Sequence, residues 1–157
     1  MATVRKTLSR LTAGKLIGGA ILLFVLIQLI PYGRSHINPP VVMEPAWNSP
    51  QTRELTARAC YDCHSNETIW PWYSSVAPLS WLVQYDVDDG RAKLNYSEWN
   101  RPQEEARESA EQVQEGEMPP WYYLTLHAEA RLTDAEKAAL ISGLQATFGA
   151  SERRNRR

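Results

Sequence analysis

Residues 49–64 read Ser49-Pro50-Gln51-Thr52-Arg53-Glu54-Leu55-Thr56-Ala57-Arg58-Ala59-Cys60-Tyr61-Asp62-Cys63-His64. A serine that can cap, followed by a proline suited to the first helical position, predicts a helix running through Leu55 and Ala59 into the cysteine motif. CxxCH is the attachment motif for c-type haem. Two thiols three residues apart on a helical turn can reach the two vinyl carbons of one porphyrin edge and form thioethers, and the adjacent imidazole then falls under the iron. His64 is the expected proximal ligand, a neutral ring whose second nitrogen donates to a carbonyl. One covalent haem c bound through Cys60, Cys63 and His64 is therefore expected.

Two other chemistries fit a CxxC pair less well. Zinc wants further ligands at metal spacing, and His36 and His127 are isolated. A thioredoxin-type pair belongs in a βαβ setting, which the helical pattern here does not offer. Both cysteines of the chain lie in this motif, so a disulfide framework is excluded.

The second axial position has several candidates. Gly116-Glu117-Met118-Pro119-Pro120 sets a methionine in a stiff, helix-free loop where its thioether could face the iron. The opposing reading is a methionine that fills a core gap. Met118 is the expected ligand, with His36, His127, Met43 or a vacant position as alternatives.

The rest of the domain is punctuated as helix. A second helix is expected from near Pro78, with Leu79, Leu82, Val83 and Val87 on one face and Gly90 as its stop. A third runs from about Pro102 to Glu115, with Ala106, Ala110 and Val113 as a narrow apolar stripe ended by Gly116. In the last, Thr133 and Glu136 make a capping box, Ala135, Ala139 or Leu140, Ile141 and Leu144 supply the buried face, and Gly149 closes it. No alternating strand and no repeat is visible, so the fold class is mostly α.

Ahead of this domain, Leu16 to Ile30 is apolar apart from Gly18, Gly19 and Gln28, with four basic residues before it and Pro31 after it. At about 1.5 Å per residue the run covers about 22 Å, short of the roughly 30 Å hydrocarbon core. Snorkelling by Lys15 and an interfacial Tyr32 extend it to a span of about 20 residues, Ala13 to Tyr32. The alternative is a cleaved signal, but Pro31-Tyr32-Gly33 is a poor cleavage site and Gly33-Arg34-Ser35 a weak one. The expected organisation is residues 1–32 as a cytoplasmic N-terminus and transmembrane signal-anchor and 33–48 as a Pro-rich tether packing partly on the domain. Residues 49–149 then form a c-type haem domain, and 150–157 a basic, disordered tail. The positive charges before the span place the protein as a single-pass component of the bacterial inner membrane, partnered with lipid there, with its haem domain in the periplasm.

A net charge of −1 over 157 residues hides an asymmetry. Residues 36–150 hold 8 basic and 17 acidic side chains, a net of −9, which excludes a nucleic-acid partner for that region. Glu104, Glu105, Glu108, Glu111 and Glu115 crowd the third helix, and clustered charge of one sign suits fast docking with a basic redox partner. The plainer meaning of such a run is a solvated helix. Asp86, Asp88 and Asp89 lack the spacing of a calcium loop and read as an acidic face.

The order of CxxCH helix, Met118-Pro119 loop and terminal helix opening Leu132-Thr133-Asp134-Ala135-Glu136 resembles a class I cytochrome c. More closely, Asn38-Pro39-Pro40, Cys60 through Glu67, Trp70-Pro71-Trp72-Tyr73, Ala77-Pro78, Ser80-Trp81, Gly90-Arg91, Asn95 and Gly116 through Pro120 are similar to the bacterial haem-binding domain family of single-haem, cytochrome c-like proteins. The resemblance covers roughly residues 36–148. It implies a cytochrome c-like helical haem domain, and so a membrane-anchored periplasmic mono-haem cytochrome that transfers single electrons.

Trp70, Trp72 and Tyr73 follow the haem histidine and are candidates to pack on the porphyrin edge or to donate to its propionates, against ordinary core packing. Trp81 and Trp99 read as core. Nothing at fixed spacing supplies the acid-base residues of a peroxidase, so a non-enzymatic role is expected. The other functional class is a haem-based sensor or ligand-binding module with an exchangeable sixth ligand.

Overall fold

The computed structural model describes residues 2–149, and the side chains from position 13 onward. The expected basic tail, 150–157, lies outside the described residues, as do the side chains of Arg5, Lys6 and Arg10. The fold is mostly helical: α1 (Ala2–Ile27), α2 (Pro50–His64), α3 (Leu79–Lys93), α4 (Ser109–Glu115), α5 (Trp121–Leu126) and α6 (Asp134–Phe148). Short 3-10 turns stand at Trp72–Ser75, Glu104–Glu108 and Ala128–Ala130. Among the described residues there is no strand, only an isolated parallel bridge between Met43 and Glu98.

The chain divides into two compact units. Among the described residues, the first takes the chain up to His36 together with Pro71–Tyr85, and the second takes Ile37–Trp70 and the chain from Asp86 on. The boundary at His36 cuts through the segment expected as a tether. Within the second unit, Val42 and Met43 donate their amides to the Ser97 carbonyl at 2.9 and 3.1 Å, and Pro40 accepts from Asn66 Nδ2 at 3.0 Å.

In the first unit, α1 stops at Ile27 because the next residues are committed elsewhere. Gln28 pairs with the backbone of Ala77, donating Nε2 to its carbonyl at 2.9 Å and accepting its amide at 3.0 Å. Pro31 lacks an amide proton and disfavours helical backbone in the residue before it. The expected span over Ala13–Tyr32 is therefore not a single helix, and among the described residues no helix is long and apolar enough to cross a membrane. Leu16, Ile17, Leu23 and Leu29 are exposed.

The second unit is built on α2, α4 and α6. Ser49 caps α2 by accepting the Thr52 amide at 3.1 Å, and Pro50 is its first residue. Thr133 and Glu136 form the expected capping box on α6. The first core cluster joins Leu55, Ala110, Val113, Leu140 and Leu144. At about 1.5–3 kcal/mol for each large apolar side chain removed from water, Leu140 and Leu144, 0% and 1% exposed, hold α6 in place. A second cluster of Tyr61, Leu94, Tyr96 and Ala106 takes Trp99 as a partner, and Trp47 and Phe148 touch both clusters.

Several expectations about the helices need correction, among them Ala135, assigned to the buried face of α6 but exposed. The third helix is a 3-10 turn followed by α4, although Ala106, Ala110 and Val113 are buried as its stripe required. α3 runs through Gly90 to Lys93 instead of stopping there, and Leu79 and Leu82, assigned to its buried face, are exposed. Trp81 is half-buried rather than core.

Candidate functional site

The last turn of α2 carries Cys60, Cys63 and His64, and α3 passes beside it at Gly90. A Cβ on Gly90 would stand 2.5 Å from the Cys63 carbonyl oxygen, so only glycine permits this approach. The approach has a chemical consequence. His64 Nδ1 lies 3.1 Å from the Gly90 carbonyl and 3.1 Å from that of Leu94. Carbonyls only accept, so Nδ1 carries the proton and Nε2 keeps its lone pair. Burial lowers the His64 pKa, the two carbonyls oppose that shift, and the ring is held neutral. A neutral imidazole with Nδ1–H engaged and Nε2 available is the form that binds a metal. Behind it, Tyr96 donates its amide to the His64 carbonyl at 2.8 Å, which fixes the backbone of the motif.

Cys60 and Cys63 are not joined to each other. Burial pushes both thiols up to about 12, with Asp86 and Asp62 adding to the effect at Cys63. Thiols held protonated are the opposite of the activated thiolate of a disulfide oxidoreductase. Among the described residues, no group of three or more His, Cys, Asp or Glu side chains is arranged to hold a metal ion.

Cys60, Cys63 and His64 open onto a cavity of about 350 Å³ within the second unit, whose lining also includes Met118, Pro119 and Pro120. That volume falls in the usual range for cofactor sites. Gly116 ends α4 in the left-handed region at φ 80°, where a Cβ would be strained, and turns the chain into the loop. The amides of Glu117 and Met118 both donate to the Gln112 carbonyl, at 3.0 and 3.1 Å. Met118 is thus tied to the end of α4 on one side and stiffened by two prolines on the other.

The other candidates for the sixth position are not in the cavity lining. His36 belongs to the first unit, its Nε2 3.0 Å from the Ser74 carbonyl oxygen. His127 stacks on Tyr123 with ring centroids 3.9 Å apart and holds the Tyr123 carbonyl at 3.0 Å. Met43 is exposed on the segment that bridges to Glu98. The donor set at the cavity, two thiols, one neutral imidazole and one thioether, fits a haem.

A family model described as a haem-binding domain matches residues 22–146. The chain belongs to the haem-binding domain family. No curated protein and no solved structure matched it. The matched region contains the cysteine motif, α3, the Met118 loop and all but the last residues of α6.

In this haem-binding domain the three aromatics after the motif do not join the cavity. Trp70 donates its indole N–H to Asn38 Oδ1 at 3.1 Å, which commits that donor to the segment before α2. Trp72 is 81% exposed and meets Tyr73 edge-on at 5.8 Å, both in the first unit.

Sequence reading missed α5 and what it does. The chain after Met118 was expected to be free of helix up to α6, yet Trp121–Leu126 is helical and carries two tyrosines to the site. Tyr123 donates its hydroxyl to Asp62 Oδ2 at 2.7 Å, and Tyr122 donates to Asp86 Oδ1 at 3.3 Å. All four residues line the cavity. Burial, followed by the Asp62 charge, raises the Tyr123 phenol, which keeps it a donor. Burial likewise raises Asp86, the hydrogen bond from Tyr122 opposing it, so Asp86 is not a plain member of a solvated acidic face. Pro120 at the N-cap of α5 was the signal available in the sequence.

Proposed function

We propose that this haem-binding domain is a single-haem c-type electron carrier, joined to haem by thioethers at Cys60 and Cys63 and ligating its iron through His64 and Met118. What carries the reading is one cavity that collects both thiols, the His64 ring with its Nδ1–H spent on two carbonyls, and, alone among the candidates weighed, Met118. Bound haem supplies one-electron oxidation and reduction at its iron. The chain supplies the rest. His64 is fixed in orientation and tautomer by Gly90 and Leu94, and the Met118 backbone is held by Gln112 and the prolines. Held by an imidazole and a thioether, the bound group would be favoured in its reduced form, which suits transfer rather than ligand capture.

Attachment to the bacterial inner membrane by the N-terminal segment, with the haem domain in the periplasm, belongs to the same proposal. It is supported by the basic residues before Leu16 and by the exposed apolar side chains between Leu16 and Ile30. A redox partner with a basic surface is supported by the exposure of Glu104, Glu105 and Glu108 on the 3-10 turn before α4.

One observation favours the second reading, a ligand-binding module: Met118 is 36% exposed. Absorption spectra of both redox states separate the two. The carrier reading expects a low-spin ferric form with a weak methionine-to-iron band in the red, slow uptake of carbon monoxide by the ferrous form, and loss of the band with a lower potential in Met118→Ala. A band that survives in Met118→Ala, or rapid carbon monoxide uptake by the parent, would contradict it.

A further inference from the structure

Packing holds the ligand loop only weakly on its C-terminal side. α5, which follows Pro120 directly, is six residues long, and none of them is fully buried, Tyr122, Tyr123 and Leu124 being half-buried. A helix of that length has no stability of its own, because nucleation costs more than so few hydrogen bonds return. Its place is set by polar contacts, and the shortest of these reaches the cysteine motif. Tyr123 donates to Asp62 Oδ2 at 2.7 Å. The acceptor is itself immobilised: Asp62 Oδ1 receives the Ile69 amide at 2.9 Å, and its carbonyl receives the Thr68 hydroxyl at 2.8 Å. A second bond, from Tyr122 to Asp86 on α3, is longer at 3.3 Å. Arg131 closes the far end of α5 by donating Nε to the Leu124 carbonyl at 2.8 Å.

From this arrangement we infer that the Tyr123–Asp62 hydrogen bond is the latch that keeps Met118 at the cavity, with Tyr122–Asp86 as a weaker second point. The inference rests on Met118 being the sixth ligand. Asp62 sits between Cys60 and Cys63, so the bond ties the segment that follows Met118 to the helix that carries His64. Tyr123 is a positioning residue, for it acts on the iron site only through where it holds α5. With the latch closed the sixth position is filled. With it open, Met118 is free to leave and the same cavity takes a small neutral ligand such as carbon monoxide.

Tyr123→Phe keeps the ring and removes only the donor, and Tyr122→Phe does the same at the weaker bond. In haem-loaded full-length protein, carbon monoxide uptake by the ferrous form is followed by stopped flow, and the red methionine band by absorption of the ferric form. A hydrogen bond to a charged acceptor of this kind shifts an equilibrium by roughly tenfold. Tyr123→Phe is therefore expected to raise the uptake rate about tenfold and weaken the band, with Tyr122→Phe smaller in both, while the far-ultraviolet circular dichroism is unchanged. Purely structural weakening would lower the melting temperature without moving the ligand rate. Should Tyr123→Phe fail to accumulate, Asp62→Asn, which removes the acceptor's charge, carries the test with a smaller rise expected. Uptake and band equal to the parent's in whichever of these two variants is measured would overturn the latch. Met118→Ala, run alongside, separates the two ideas. If it accelerates uptake and the Tyr123 or Asp62 variant does not, the latch alone is wrong. If it changes neither rate nor band, Met118 is not the ligand and the inference falls with that assignment.

Discussion

Gly90→Ala sets two opposed effects against each other and so tests the geometry of the motif by sign. In an ordinary helix interior, alanine is favoured over glycine by about 0.8–1 kcal/mol. At position 90 the added Cβ would meet the Cys63 carbonyl oxygen at 2.5 Å, its carbonyl carbon at 3.0 Å and its Cβ at 3.1 Å. α3 must move off α2 by roughly 1 Å to restore normal contact. Overpacking of this kind costs about 1–3 kcal/mol. The same displacement stretches the bonds from His64 Nδ1 to the Gly90 and Leu94 carbonyls, a further loss of about 0.5–1.5 kcal/mol. After the propensity gain is subtracted, the variant is expected to be less stable by about 2 kcal/mol, a fall in melting temperature of roughly 8 °C for a domain of this size. Thermal and urea unfolding of parent and variant, both fully haem-loaded, reads this directly. A variant that melts at the parent's temperature or above it would refute the close approach, since propensity would then act unopposed.

Two further outcomes follow from the surface of each unit. The Glu136 carboxyl is brought from its ordinary 4.5 down to about 2, first by the hydrogen bond from Arg58 and then by the Thr133 amide and hydroxyl. A depressed carboxyl contributes stability above pH 4.5 that is lost as the pH falls through 2. Arg58→Met should therefore lower the urea midpoint at pH 6 and differ less from the parent as the pH is taken below 4.5; a gap that persists unchanged at pH 2 would count against the pair. For the N-terminal segment, carbonate washing of membranes should leave the haem in the pellet, with Met1 or Ala2 still the first residue. A mature chain beginning near Ser35 or His36 would show a cleaved signal instead.

What was legible in the sequence was local. The Ser49-Pro50 start of α2, the Thr133–Glu136 box on α6 and the buried Ala106, Ala110 and Val113 each depend on neighbours within one or two turns, and a single sequence carries that information. The constrained loop that sets Met118 in the cavity lining was legible for a similar reason, because Gly116 and the two prolines shape their own segment. The errors lie where distant residues decide. Gly90 reads as a stop until Cys63, far back in the chain, is known to press against it. α5 is short and apolar all round, so no periodic face announces it, and its bonds from Tyr122 and Tyr123 to Asp86 and Asp62 join residues distant in the chain. Gln28 looked like an interruption in an apolar run and is instead bound to the backbone of Ala77.

The most direct test of the central claim is the mass of the unfolded polypeptide. Protein produced with a cytochrome c maturation system and measured by mass spectrometry under denaturing conditions should be heavier than its sequence by one haem, with the pigment retained through acid-acetone extraction. Cys60→Ala with Cys63→Ala should lose it. A parent polypeptide at its bare sequence mass, or pigment that passes into the acetone, would contradict thioether attachment at Cys60 and Cys63.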